Sequence, residues 1–222
     1  MLFSQDALPL NNALIETLVR NFADQKVAGA FARHVGRPEH GPAICHAVQQ
    51  WSGSLQRHEA ALAHPDQLSE LSPLQRAAFC RFDNVCSAIR RTVWQQHPFA
   101  PRPFAEDLDW SRRVLLSGWK IVYEPTAAVE HSHTMGIWES YRRCFQTHQA
   151  LTDLFDLRLI SHRRELLPAF LKEVRERRQL ARSTPRPVSQ KFRETWEIPL
   201  FSAATVLGTY NGSRTPNRAK PL

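Results

Sequence analysis

The sequence predicts a mixed α/β layer followed by a helical C-terminal region, and three observations carry that expectation. Short apolar runs alternate with stretches of helical period along the first 135 residues, and residues 136 to 180 are strongly helical and amphipathic. At 222 residues, 42% hydrophobic and with six tryptophans, the chain can bury the core of one larger α/β domain or of a domain with an appendage. The expected division is 1–135 and 136–222.

"MLF" reads as a strand end, and "SQDALPLN" as a loop, because Ser, Asp, Pro and Asn favour turns and caps. Leu14, Leu18 and Phe22, with Ile15 and Val19 beside them, then recur at helical spacing. "KVAGAFARHV" follows as a strand. Residues 36 to 75 carry Pro, Gly and His with weak periodicity, which reads as a long loop holding one or two helical turns. "FCRFDNVCSAIRRTVW" reads as a strand running into a helix, and "HPFAPRPF" as a proline-broken loop. From Asp107 a helix carries Leu108, Val114 and Leu115 inward and stops at Gly118. "WKIVYEP" is a strand closed by Pro125, and "AAVEHSH" a separate short run. "STPRPVSQ" reads as a linker, and "ETWEIPLFSAATVLGTY" as a last helix before a polar tail.

Charge is unevenly spread. Up to Tyr141 there are 13 Lys/Arg against 14 Asp/Glu, a net of −1; from Arg142 onward there are 16 against 7, a net of +9. Four cysteines lie far apart without metal-finger spacing, so reduced thiols are expected. No signal peptide and no apolar run of about 18 residues is visible, which places the chain inside the cell, with peripheral membrane contact open.

The block "FAEDLDWSRR" sets Glu106, Asp107 and Asp109 at a loop–helix junction. Such residues serve the helix dipole, and one at a junction can also act as a general base. His131 and His133 end the next strand segment and could return to the same sheet edge, where Asp6 of "SQDA" offers a further carboxylate for a divalent metal. Trp110 suits either sugar stacking or core packing.

In order, "LFSQDALP", "FDNVCSAIRR", "PFAEDLDWSRRVLLSGWKIVYEPTAAVEHSH" and "YRRCFQTHQAL" resemble the rear half of a family 2 glycosyltransferase of the GT-A type, in its rhamnosyltransferase-like branch. The resemblance covers most of residues 2 to 155, and "LFSAATVLGTYNGSR" is similar to the tail of some members. It implies a partial GT-A, Rossmann-like sheet over residues 1–135 and a bacterial polysaccharide-building enzyme. It further implies inverting transfer of a sugar from a nucleoside-diphosphate sugar to a glycan or lipid-linked acceptor hydroxyl, with Mg²⁺ or Mn²⁺ as cofactor. Residue by residue, Asp107 matches the catalytic base, while Asp6 and His131 match metal ligands, with His133 as the second choice. Glu106, Asn84, Arg90 and Arg143 match substrate-binding positions. The implied location is the cytoplasm, at the inner face of the membrane.

Family members carry a nucleotide-binding half before the "SQDA" loop, whereas here only five residues precede Asp6. The sequence therefore reads as a truncated remnant, a late-placed start, or one half of a site completed by another chain, and an unpaired apolar sheet edge is expected. Farther on, Leu166, Leu167, Phe170, Leu171 and Val174 form an apolar stripe among arginines, suited to anionic lipid or to packing on the core. The basic region could otherwise be a binding module for membrane or nucleic acid. No nucleic-acid motif or aromatic–arginine platform is present, so no nucleic-acid partner is expected.

Overall fold

The run VAGAFARHV is apolar on both faces, as a strand covered from two sides must be, and it forms the central strand β3 (Val27–Val35). The computed structural model describes residues 1–183 and 188–215. Its contacts divide the chain into two units, Met1–His133 and Thr134–Leu222.

In the first unit, β3 pairs in parallel with β6 (Lys120–Glu130) and antiparallel with β5 (Cys86–Ile89). The sheet is extended by β1 (Leu2–Phe3) on β5, and by β2 (Leu8–Pro9) and β4 (His58–Ala60) on β6. The edge strands are thus only two or three residues long. Short edges limit pairing with other chains, and the outer sides of both β5 and β6 carry a partner strand rather than standing wholly unpaired.

Both faces are covered. On one, α1 (Leu14–Val19) buries Leu14 and Leu18 against Val27, Ala30, Val122 and Val129, while Ile15 and Val19 remain exposed. On the other, α6 (Glu106–Leu116) lays Trp110 against Phe82, ring centroids 5.0 Å apart, and Phe82 meets Phe31 edge-on at 5.6 Å. Trp110 is fully buried and its indole N–H donates to the His97 carbonyl, so it packs the core and does not stack on a sugar. A methyl group on Gly29 would lie 2.9 Å from Phe82 and 3.1 Å from Trp110. Gly29→Ala is accordingly expected to cost roughly 1–3 kcal/mol, seen as a Tm lowered by about 2–4 °C per kcal/mol; an unchanged melt would show that the ring stack can yield.

Two expectations need correction here. The span 36–75 is more helical than a long loop, holding α2 (Pro42–Ser52), α3 (Gln67–Glu70) and, overlapping its end, α4 (Pro73–Phe79). Proline at the first helical position and the Ser72–Gln75 capping box start α4 without any long periodic pattern. Pro125 does not end its strand. β6 runs through it, because Ala32 pairs with Glu124 and Arg33 with Ala128, leaving Pro125, Thr126 and Ala127 as a bulge that needs no ladder donor from proline. The Arg33 guanidinium donates to the Pro125 carbonyl at 3.2 Å. Gly118, at φ +83°, does terminate α6, with Gly118 N–H bonded to Leu115 O and Trp119 N–H to Val114 O. α5 (Arg91–Gln96) follows β5 as the sequence suggests.

The second unit contains α7 (Ile137–Phe155), α8 (Leu166–Arg182) and α9 (Val188–Gly212). Left-handed Asp156 (φ 54°) interrupts what the sequence presents as one helical stretch. α9 runs parallel to α7, with Asn211 donating to the Tyr141 hydroxyl and Gln149 to the Thr215 carbonyl. α8 packs on α9 through Leu166 and Phe170 against Val206 and Tyr210. The apolar stripe read from the sequence is therefore split: Leu166, Phe170 and buried Val174 turn inward, whereas Leu167 and Leu171 are 64% and 52% exposed. Of the expected linker, residues 184–187 lie outside the described ones, and Val188 onward is already helical. Residues 216–222 of the polar tail also lie outside them.

Candidate functional site

β6 ends beside the end of β3, where the His131 N–H bonds to the Val35 carbonyl, and this delivers His131 and His133 to the edge that the loop after β1 reaches. There Asp6, His131 and His133 each offer one ligand atom, all within 4.8 Å of one another. His131 Nε2 is 3.4 Å and His133 Nδ1 3.5 Å from the two carboxylate oxygens of Asp6. The Asp6 carboxyl is held below its ordinary range, first by the Ser4 hydroxyl, which donates to it at 2.7 Å, and also by the two imidazoles. Its backbone carbonyl accepts from Arg37, and Arg37 in turn approaches Glu130 at 3.4 Å. Burial pushes His131 downward, only partly countered by Asp6, so this ring favours its neutral form with a lone pair free.

Behind the cluster stand two groups that sequence reasoning missed. His34, the penultimate residue of β3, is buried, meets the His131 ring at 5.9 Å, and lies 3.7 Å from Asp83. Its Nε2 has no hydrogen-bond partner. Asp83 accepts from the Trp51 indole at 3.0 Å and from the Val85 N–H at 2.8 Å. Its charge acts on both His131 and Asp107, which places these two in one electrostatic neighbourhood. The signals were present as a histidine ending an apolar strand and an aspartate directly before Asn84, but both are common without a site.

The three carboxylates of the acidic block have separate environments. Asp109 is buried and paired with Arg113 at 2.9 Å, one helical turn on. Glu106 accepts from the Asn84 side chain at 3.4 Å. Asp107 has its carboxyl pushed up to about 7, chiefly by burial, then by the charges of Asp83 and Glu106, although the Leu108 N–H donates to it at 2.8 Å. Desolvation thus outweighs the helix dipole, leaving a carboxyl poised to exchange a proton near neutrality.

Two of the expected substrate-binding positions remain, Arg90 and Arg143. Arg90 is at the end of the sheet where β3 begins, its guanidinium donating to the carbonyls of Val27, Phe22 and Asp24 and to Gln25 at 2.9–3.3 Å. The structure does not bring it to the cluster. Arg143 is an exposed residue of α7 in the second unit. A cleft beside the start of β3, lined by Arg20, Asn21, Arg57 and Glu124 among others, holds no orphan charge: buried Glu124 accepts from Asn21, Arg57 and Thr126. The chemistry concentrates instead at the open cluster. The thiols of Cys80 and Cys86 are buried and pushed up to about 12, which makes them inert.

No family model matches the chain, and no solved structure matches it. It is 25% identical over 146 residues to the O-antigen chain rhamnosyltransferase RfbN of Salmonella typhimurium, and 27% identical over 146 residues to the O-antigen chain rhamnosyltransferase WbaN of Salmonella anatum. The chain is distantly related to glycosyltransferases. Each match covers 65% of this chain and 44% of the relative, so the chain spans less than half the length of the proteins it matches.

Proposed function

We propose that this chain carries the metal and acceptor side of a glycosyltransferase that moves a sugar from a nucleoside-diphosphate donor to a hydroxyl of a glycan or lipid-linked acceptor. What supports the reading is one arrangement: the Asp6–His131–His133 cluster, backed by His34 beside Asp83, whose charge also bears on the Asp107 carboxyl. The names of the two relatives make a deoxyhexose such as rhamnose the first donor sugar to try.

An acceptor hydroxyl is a poor nucleophile until its proton has a destination, and the Asp107 carboxylate takes that proton as the oxygen attacks the anomeric carbon opposite the leaving diphosphate. Such a displacement inverts the anomeric centre. Glu106 and Asn84, hydrogen-bonded beside Asp107, orient the acceptor. The donor set of one carboxylate and two imidazoles fits a divalent cation, and the nitrogen ligands favour Mn²⁺ over Mg²⁺, which prefers oxygen. When bound, the cation supplies positive charge that stabilises the departing diphosphate.

The test is sugar transfer from nucleoside-diphosphate deoxyhexoses in the presence of Mn²⁺, read as released nucleoside diphosphate and glycosylated acceptor. Transfer that stops on chelation and returns with Mn²⁺ is expected. Transfer unaffected by chelation would overturn the metal assignment, and failure of the chain to bind Mn²⁺ together with absence of turnover when the nucleotide-binding half is supplied would overturn the reading itself.

A further inference from the structure

The outward face of α8 has an order that its composition hides. Leu167, Leu171, Arg175, Arg178 and Arg182 recur at intervals of four, four, three and four residues, and exposed Arg164 stands in the 3-10 turn just before the helix. At 3.6 residues per turn the five residues within α8 lie within about 80° of the circumference. All six are exposed. No aspartate or glutamate falls in that stripe: Glu165, Glu173 and Glu176 project from the other sides, where Glu173 is bonded to Arg177 at 2.7 Å and Glu176 lies 3.8 Å from Lys172. Three arginines thus continue the line of two leucines that are 64% and 52% exposed, on the side turned away from the Leu166 and Phe170 contacts with α9.

We propose that this face of α8 docks on an anionic lipid bilayer, the arginines meeting phosphate headgroups and Leu167 and Leu171 entering the headgroup–acyl boundary. A second copy of the chain is the wrong occupant, because an isologous contact would press together two faces that each carry arginines and no carboxylate. Nucleic acid would satisfy the arginines but leave the two leucines in water, whereas a bilayer edge takes both. The helix lies on the surface and does not cross it; among the described residues no helix is long and apolar enough to span a membrane. The inference rests on α8 alone and stands whether or not the chain transfers sugar.

Co-sedimentation of the full chain with vesicles tests it, using phosphatidylcholine alone and an equal mixture of phosphatidylcholine and phosphatidylglycerol. Binding to the mixed vesicles only, weakened by raised salt, is expected. Arg175→Gln with Arg178→Gln should weaken it about 30-fold, and Leu167→Ser with Leu171→Ser about tenfold. Because all four side chains are exposed, unchanged thermal melts are expected and separate lost docking from lost folding. Equal binding to neutral vesicles, insensitivity to the arginine pair, or binding to duplex DNA without binding to vesicles would each overturn the proposal.

Discussion

Asp107→Asn is expected to lower the rate of sugar transfer by about 10²- to 10⁴-fold while donor binding persists, and at the same time to stabilise the protein at neutral pH. Both effects follow from one cause. The Asp107 carboxyl moves from its ordinary 3.8 to about 7, chiefly through burial. Between those values the folded chain holds a proton that the unfolded chain has released, so stability falls as pH rises from about 4 to 7 and stays reduced above that. An amide has no charge to bury. The variant should therefore melt a few degrees higher than the parent at pH 8, at about 2–4 °C per kcal/mol, with the difference closing near pH 4. In the parent, kcat should rise with pH through about 7, and Asp83→Asn should move that limb downward without abolishing it, because burial is the larger cause. Undiminished transfer by Asp107→Asn would remove the base assignment, and equal melts at pH 8 would remove the account of its burial.

Asp6→Ala should weaken Mn²⁺ binding by about 100-fold or more, since loss of a supporting group alone costs about 10- to 100-fold. Asp6 is the one carboxylate of the cluster; the Ser4 hydroxyl donates to that carboxylate, and Arg37 donates to the Asp6 backbone carbonyl. Ser4→Ala leaves the ligand in place and should cost about tenfold. Calorimetric titration with Mn²⁺ reads both. Parent-like affinity in Asp6→Ala would show that the ion, if bound, sits elsewhere.

Much of the first unit was legible because its signals are local. The apolar run of β3, the period of α1, the Gly118 stop and the inward Leu108, Val114 and Leu115 each follow from residue type and spacing. The helices between residues 42 and 79 were not: α2 and α4 begin on proline, α4 with a capping box, and α3 and α4 at four and seven residues are too short to show a period. Asp6 and His131 were candidates from their order in the chain, and the sheet brings them together through pairings separated by over a hundred residues. His34 and Asp83 were invisible for the complementary reason: each is ordinary in its own segment and acquires meaning only from the neighbour that tertiary structure supplies. The stripe on α8 shows the same limit, since the sequence marks five apolar positions but not which of them α9 claims.

The irregularity at Pro125 also sets a phase. Ahead of it, odd residues of β3 pair with odd residues of β6, as Phe31 does with Tyr123; past it, even pair with odd, as His34 does with Val129. His131, two residues beyond Val129, thereby points to the side of the sheet that His34 occupies. Three extra residues, an odd number, make that so. Adding or removing a single residue there would exchange one face of the sheet for the other along the rest of β6, and would turn His131 from the side that His34 occupies. For this protein, parity in a three-residue irregularity decides which histidines share a side of the sheet.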